Sequence, residues 1–231
     1  MRDDICTIPV SEVFEHNDGC PICRMRDTIE ERMTDYILGD AMMEPDVRIE
    51  TNKTGFCEHH YNNMMSRRGR LQLALMLQTH INEINGEIFK KKLFNTDSKK
   101  TGNAKNITDS CFICSKIEWG LSRMIETVYR CYETQKDFRN MFNSQSMFCL
   151  PHYERLLGGA SKRNMKSYYS EFSENLNRIT GEYSKSLYDD LSKYCTMYDY
   201  RSRDGETDWG NSRDAVERTV AFLNGRIYDV Y

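Results

Sequence analysis

Eight residues of this chain have the types and spacings of metal ligands. Cys20 and Cys23 form a C-x2-C pair (CPIC), and Cys111 and Cys114 form another (CFIC). Downstream of each comes a C-x2-H pair flanked by aromatics. The first runs Phe56, Cys57, His60, Tyr61, and the second Phe148, Cys149, His152, Tyr153. Thiolate and imidazole are the donors that zinc takes in closed four-coordinate structural sites. A C-x2-C lets two thiolates approach one ion at about 2.3 Å each, and a distant C-x2-H completes the tetrahedron. The expected sets are Cys20, Cys23, Cys57 and His60, then Cys111, Cys114, Cys149 and His152, each holding one structural zinc. Iron–sulfur clusters usually take four cysteines. Attachment of c-type haem needs a histidine directly after the C-x2-C, which neither pair has.

The two sets repeat one another. Cys20 to Cys111 is a step of 91 positions and Cys57 to Cys149 a step of 92, so one inserted residue brings them into register. Ile22 then matches Ile113, Arg32 matches Arg123, Met33 matches Met124, and Asp46-Val47-Arg48 matches Asp137-Phe138-Arg139. The Gly69 turn lies near the Gly158-Gly159 turn. This is an internal duplication, the self-similarity that decides how a chain should be divided. It also separates His60 from its neighbour. The counterpart of His59 is Pro151, which cannot ligate, so His60 is the expected ligand and His59 an exposed neighbour.

Helices must position these donors. After Cys23, Met25, Ile29, Met33, Tyr36 and Ile37 trace one helical face. After Cys114, Ile117, Leu121, Met124, Val128 and Cys131 do the same. Each C-x2-C therefore starts a helix, the first behind the Asn17-Asp18-Gly19 turn. Each C-x2-H also opens a helix, because positions i and i+3 meet on one face. Short return helices are expected around 45–51 and 136–142, to carry the C-x2-H back to its C-x2-C. A long helix follows each site. Its stripe is Leu73, Leu77, Ile81, Ile84, Ile88 and Phe89 in the first repeat. In the second it is Tyr168, Phe172, Leu176, Ile179, Tyr183, Leu187, Leu191 and Tyr194. The polar stretch 95–110 reads as a linker. A last helix is expected from Ser212, as N-cap, to Leu223, with Gly225 as its stop and Trp209 packed on the bundle.

The whole composition agrees. The chain has 231 residues and a net charge of -3, with 39% hydrophobic and 29% charged residues. Mean hydropathy is -0.71, and no stretch nears the roughly 18 apolar residues of a spanning helix. Four prolines and thirteen glycines suit long helices. The start, MRDDICTIPV, lacks the apolar run of a secretory signal, so the nine cysteines point to metal or redox chemistry rather than disulfides.

Other chemistry is largely absent from the sequence. There is no phosphate-binding glycine loop, nucleophile elbow or H-E-x-x-H. Glu30-Glu31 and Asp189-Asp190 read as solvated surface, since adjacent helical residues do not face each other. Arg67-Arg68-Gly69-Arg70, Lys90-Lys91-Lys92 and Lys162-Arg163 are basic, but a pI near 6.0 argues against a broad phosphate-binding footprint. His80 sits on an apolar stripe and reads as a hydrogen-bonded core histidine, the alternative being an enzyme pocket around it. Cys6, Cys131 and Cys195 fall outside the repeat register, and Cys131 reads as a buried thiol. The fourteen tyrosines at helical spacing read as core with polar tips.

The run IPVSEVFE…CPICRMRDTIEERMTDYILGD, DVRIETNKTGFCEHHY and LQLALMLQTH, with CFIC…DFRNMF…FCLPHY and DWGNSRDAVERTVAFLNG, resembles a bacterial family known only as a domain of unknown function, found mainly in anaerobic Gram-positive bacteria. The resemblance implies a cytoplasmic all-helical protein with the paired cysteine and histidine motifs as its hallmark. It implies no activity, substrate or partner.

Together these observations predict an all-α protein of two tandem zinc-anchored helical repeats forming a bundle. The repeats are residues 1–95 and 111–200, joined by a linker at 96–110 and followed by a tail with a helix at 201–231. Four protein donors leave no place for a catalytic water. The expected function is therefore a non-enzymatic binding or adaptor module for a protein or small-molecule partner. The alternatives are a thiol-based redox or metal sensor and a nucleic-acid-binding regulator.

Overall fold

The structure is a computed structural model that describes residues 8–89, 96–198 and 208–225. Cys6 and Lys90-Lys91-Lys92 lie outside the described residues. The described residues form helices and no strand, which bears out the all-α expectation. In chain order the α-helices are α1 (Ile8–Glu15), α2 (Pro21–Leu38), α3 (Pro45–Thr54), α4 (Glu58–Ser66), α5 (Arg70–Ile84), α6 (Asp97–Thr108), α7 (Phe112–Thr134), α8 (Lys136–Asn143), α9 (Leu150–Gly159), α10 (Tyr169–Tyr198) and α11 (Ala215–Asn224). A π-helical turn, Asn85–Phe89, continues α5.

These helices pack as two compact units that do not follow the repeats. One unit takes in residues up to Met25 and from Ser122 onward, and the other runs from Arg26 to Leu121. The chain passes between units inside α2 and again inside α7. Each unit is thus assembled from parts of both repeats.

The first unit has an aromatic core. Phe14 of α1 meets Phe138 edge-on at 4.9 Å. Phe142 packs on Phe148 and on Phe172 of α10, at 4.9 Å in each case. Tyr132 lies edge-on to Phe142 and Phe172 and keeps its hydroxyl on Asn143 at 3.0 Å. Tyr129, also buried, donates its hydroxyl to the Leu156 carbonyl at 2.9 Å. These rings bury large apolar faces while each phenol keeps a partner, but the tyrosines of the long helix α10 are not core: none is buried, and Tyr188 and Tyr198 are exposed. Cys131 is buried, as its stripe implies.

The second unit has a largely aliphatic core of Ile37, Leu38, Ala41, Met64, Leu73, Met76, Ile113 and Ile117, together with buried Phe56 and Phe112. Arg48 of α3 ties this unit internally, donating to the carbonyls of Met42 at 3.1 Å and Leu75 at 3.2 Å and to the Thr79 hydroxyl at 3.0 Å.

Three local expectations shift. The stretch expected as a linker is helical over α6, because Thr96 caps it by accepting from the Lys99 amide at 3.3 Å. It buries nothing, which is why its sequence shows no stripe. On α5 the buried line is Leu73, Met76 and His80, and Ile81 is half exposed, so the face is rotated from the predicted one. The last helix begins at Ala215 with Asp214 at its N-cap. Ser212 instead closes a 3-10 turn with its hydroxyl on the Trp209 carbonyl. Trp209 packs edge-on to Tyr194 and Tyr198, and Gly225 ends α11 at φ 72°.

Candidate metal centres

All eight predicted ligands gather into two four-residue clusters, but the clusters pair the motifs across the repeats. Cys20 and Cys23 meet Cys149 and His152 in the first unit. Cys111 and Cys114 meet Cys57 and His60 in the second. The expected pairing within each repeat is therefore corrected. The helix lengths favour this crossing. α2 has 18 residues and runs about 27 Å, whereas α3 has 10 and spans about 15 Å. α7 and α8, with 23 and 8 residues, run about 35 Å and about 12 Å. The short helices exist where they were predicted, but each is much shorter than the helix it follows.

The local geometry is the same in all four motifs. Cys57 and Cys149 are the N-caps of α4 and α9, and Cys20 and Cys111 stand immediately before α2 and α7. The second residue of each motif, three positions on, lies in the first turn. Each cluster therefore joins two helix N-termini, whose partial positive charge of about half an electron each favours thiolates. In the second unit the two starts are pinned together, with the Phe112 amide donating to the Gly55 carbonyl at 3.0 Å and the Ser110 hydroxyl to the Thr54 carbonyl at 2.7 Å.

The donor spacings fit one tetrahedral ion. Zinc–sulfur bonds of about 2.3 Å and zinc–nitrogen bonds of about 2.0–2.1 Å imply edges of about 3.8 Å between sulfurs and about 3.5 Å from sulfur to nitrogen. Cys23 and Cys149 are 3.6 Å apart and Cys57 and Cys114 are 3.8 Å apart. His152 Nδ1 lies 3.7, 3.3 and 3.1 Å from the sulfurs of Cys20, Cys23 and Cys149. His60 Nδ1 lies 3.1, 3.3 and 3.5 Å from those of Cys57, Cys111 and Cys114. In both clusters Nδ1 faces the sulfurs.

Proton placement also suits a cation. In the first cluster, burial opposes ionisation of Cys20, but hydrogen bonds from Cys149, Cys23 and the His152 ring outweigh it and hold the thiol well below its ordinary value. Cys23 and Cys149 are pushed up, chiefly by hydrogen bonding with Cys149 and with Cys20 respectively, Cys149 to about 12. In the second, burial again opposes ionisation of Cys111, but the His60 contact brings it down to about 6. Burial and the neighbouring Cys111 push Cys114 up to about 12. Burial lowers the His60 value, and its bonds to Cys111 and Cys57 more than reverse this. Neighbouring thiols cannot all ionise unless positive charge arrives between them, and a divalent cation would supply it.

The clusters differ in cover. In the first, Cys20, Cys149 and His152 are buried, and only Cys23 is partly open. Gly225, at the end of α11, seals that side: a Cβ there would lie 3.3 Å from Cys149 Sγ and 3.7 Å from Cys23 Sγ. In the second, His60 is buried, Cys57 and Cys111 are partly open, and Cys114 is exposed.

Glu30 is a site residue that the sequence reading missed. It was expected on the surface beside Glu31, yet its side chain is only 6% exposed, with Oε1 2.7 Å from His59 Nε2 and 3.2 Å from His60 Nε2. A signal was present. The register counterpart of Glu30 is Leu121, which belongs to the predicted buried stripe of α7, so the duplication itself marks position 30 as inward-facing. His59 is half exposed, as expected of a neighbour, and is also paired to that carboxylate. His80 is buried with Nδ1 2.7 Å from the Asn52 carbonyl, an ordinary satisfied core histidine.

The profile of a family of unknown function, DUF6062, matches residues 1–230. The chain belongs to this family. DUF6062 carries no assigned activity. Neither the curated proteins nor the solved structures offer a match to this DUF6062 chain.

Proposed function

We propose that this DUF6062 protein is a non-enzymatic binding or adaptor module held in shape by two structural zinc ions. The observation that supports it is the pair of closed Cys3His clusters. Four protein donors fill each tetrahedron and leave no position for a catalytic water. Thiolate-rich donors with one imidazole favour zinc over the hard cations. Zinc binding of about 10–16 kcal/mol would be enough to anchor each unit. Free thiols in both clusters suit a reducing compartment such as the cytoplasm, and no described helix is long and apolar enough to cross a membrane. The long helices would offer the surface for a protein or small-molecule partner.

Metal analysis of purified protein is expected to give about two zinc ions per chain, and none would overturn the reading. Affinity capture with metal-loaded and metal-stripped protein tests the adaptor role. A specific partner retained only in the loaded state is expected, and no partner in either state counts against it.

A second reading, a thiol-based sensor at the second cluster, is favoured by the exposure of Cys114. A mild peroxide should then convert two cluster thiols to a disulfide, reducing the peroxide to water and releasing one zinc. Zinc retained under peroxide would remove this reading.

A further inference from the structure

The repeats share their ligands, so any polar group near one histidine that the register denies to the other repeat stands out. Glu30 and His59 are such groups. Their counterparts are Leu121 and Pro151, and neither can donate or accept through its side chain. In the second unit Glu30 and His59 converge on one ligand. Glu30 Oε1 is 3.2 Å from His60 Nε2, on the edge of the ring opposite the three sulfurs, and 2.7 Å from His59 Nε2. His60 Nε2 is fully buried and makes no well-directed hydrogen bond within the described residues. A buried ring nitrogen of this kind costs stability unless it is paired. Glu30 is a buried acceptor within reach, with Oε1 at 3.2 Å.

We propose that Glu30 is a positioning residue for the second metal centre. When an ion occupies the cluster through His60 Nδ1, the other nitrogen must carry the proton, and Glu30 accepts it as a hydrogen bond. That bond fixes the tautomer and the ring plane and makes the imidazole a better donor, as outer carboxylates do for metal-bound histidines. His59 holds the carboxylate from the solvent side. The ion in the second cluster is thereby retained despite the exposure of Cys114. This inference rests on the zinc reading above.

The test uses the full zinc-loaded chain and times zinc release to a chromogenic chelator. Wild-type protein should release two ions in two phases. Glu30→Leu should speed one phase by roughly 10- to 100-fold and leave the other unchanged. Glu30→Gln, which keeps an acceptor oxygen, should recover most of the loss. Thr34→Val removes the bond from the buried Thr34 hydroxyl to the Glu30 carbonyl at 2.8 Å while keeping the carboxylate, and should leave both phases alone. Long-range proton–nitrogen correlation on histidine-labelled protein adds a direct readout. The His60 Nε2 proton should be slow to exchange in wild type and in Glu30→Gln, and fast in Glu30→Leu. Unchanged release in Glu30→Leu, or equal acceleration by Thr34→Val, overturns the role of Glu30. A wild-type chain that binds no zinc instead overturns the metal reading beneath it.

Discussion

The two Cys3His clusters have the same residue types in the same arrangement and different surroundings. The first is roofed by the end of α11, with three ligands buried. The second leaves Cys114 exposed and backs its histidine with a buried carboxylate. The clusters share the same residue types, because each combines one C-x2-C and one C-x2-H, which are local in sequence. The cover is not shared, because it comes from elements outside the motifs. The same four residue types therefore sit in a closed setting and in an open one within a single chain.

Removing ligands in pairs gives the largest effect and tests the crossed pairing. Cys20→Ala with Cys149→Ala destroys one cluster and should leave one zinc per chain. Cys20→Ala with Cys57→Ala hits both clusters and should leave neither fully liganded. Pairing within repeats predicts the reverse, so metal stoichiometry decides. Loss of a centre should also unfold much of its unit, since the binding free energy of about 10–16 kcal/mol rivals a whole domain's stability of about 5–15 kcal/mol.

Acidification should weaken both centres. Cys149 and Cys114 are pushed up to about 12, so near neutral pH these thiols hold protons that an ion must displace, and His60 is raised in the same direction. Affinity should fall as pH falls, about tenfold per unit for each proton displaced. Competition titrations at two pH values with matched salt would measure this, and a flat profile would contradict it.

Thiol alkylation sharpens the contrast in cover. In zinc-loaded protein Cys195, exposed and outside the clusters, should react first and Cys114 next, with Cys20 and Cys149 slowest. Peptide mass mapping over time gives the order. Reaction of Cys149 before Cys114 would mean that the first centre is not sealed.

Two glycine substitutions should have smaller effects. Gly55→Ala places a Cβ 2.7 Å from His80 Nε2 at φ 57°, between the pinned starts of α4 and α7. It should lower the melting temperature and speed release from the second centre. Gly225→Ala, at φ 72° and 3.3 Å from Cys149 Sγ, should cost about 1 kcal/mol and speed release from the first centre only modestly. If each variant affected the opposite centre, the assignment of cover would fail.

The sequence by itself determined the helical class, the helix starts at each motif and all eight donors. Those depend on interactions within a few residues: a 3.6-residue apolar period, a Cys-x2-Cys or Cys-x2-His turn and a duplication that can be read by counting. The register with Leu121 also held a signal at position 30, which the reading of Glu30-Glu31 as surface missed. Only the tertiary structure decided which C-x2-H completes which C-x2-C, that Glu30 reaches His60, and that Gly225 covers the first centre. Each of those joins residues through the lengths and packing of intervening helices. The 10-residue α3 is much shorter than the 18-residue α2 before it, and each repeat supplies half of both clusters.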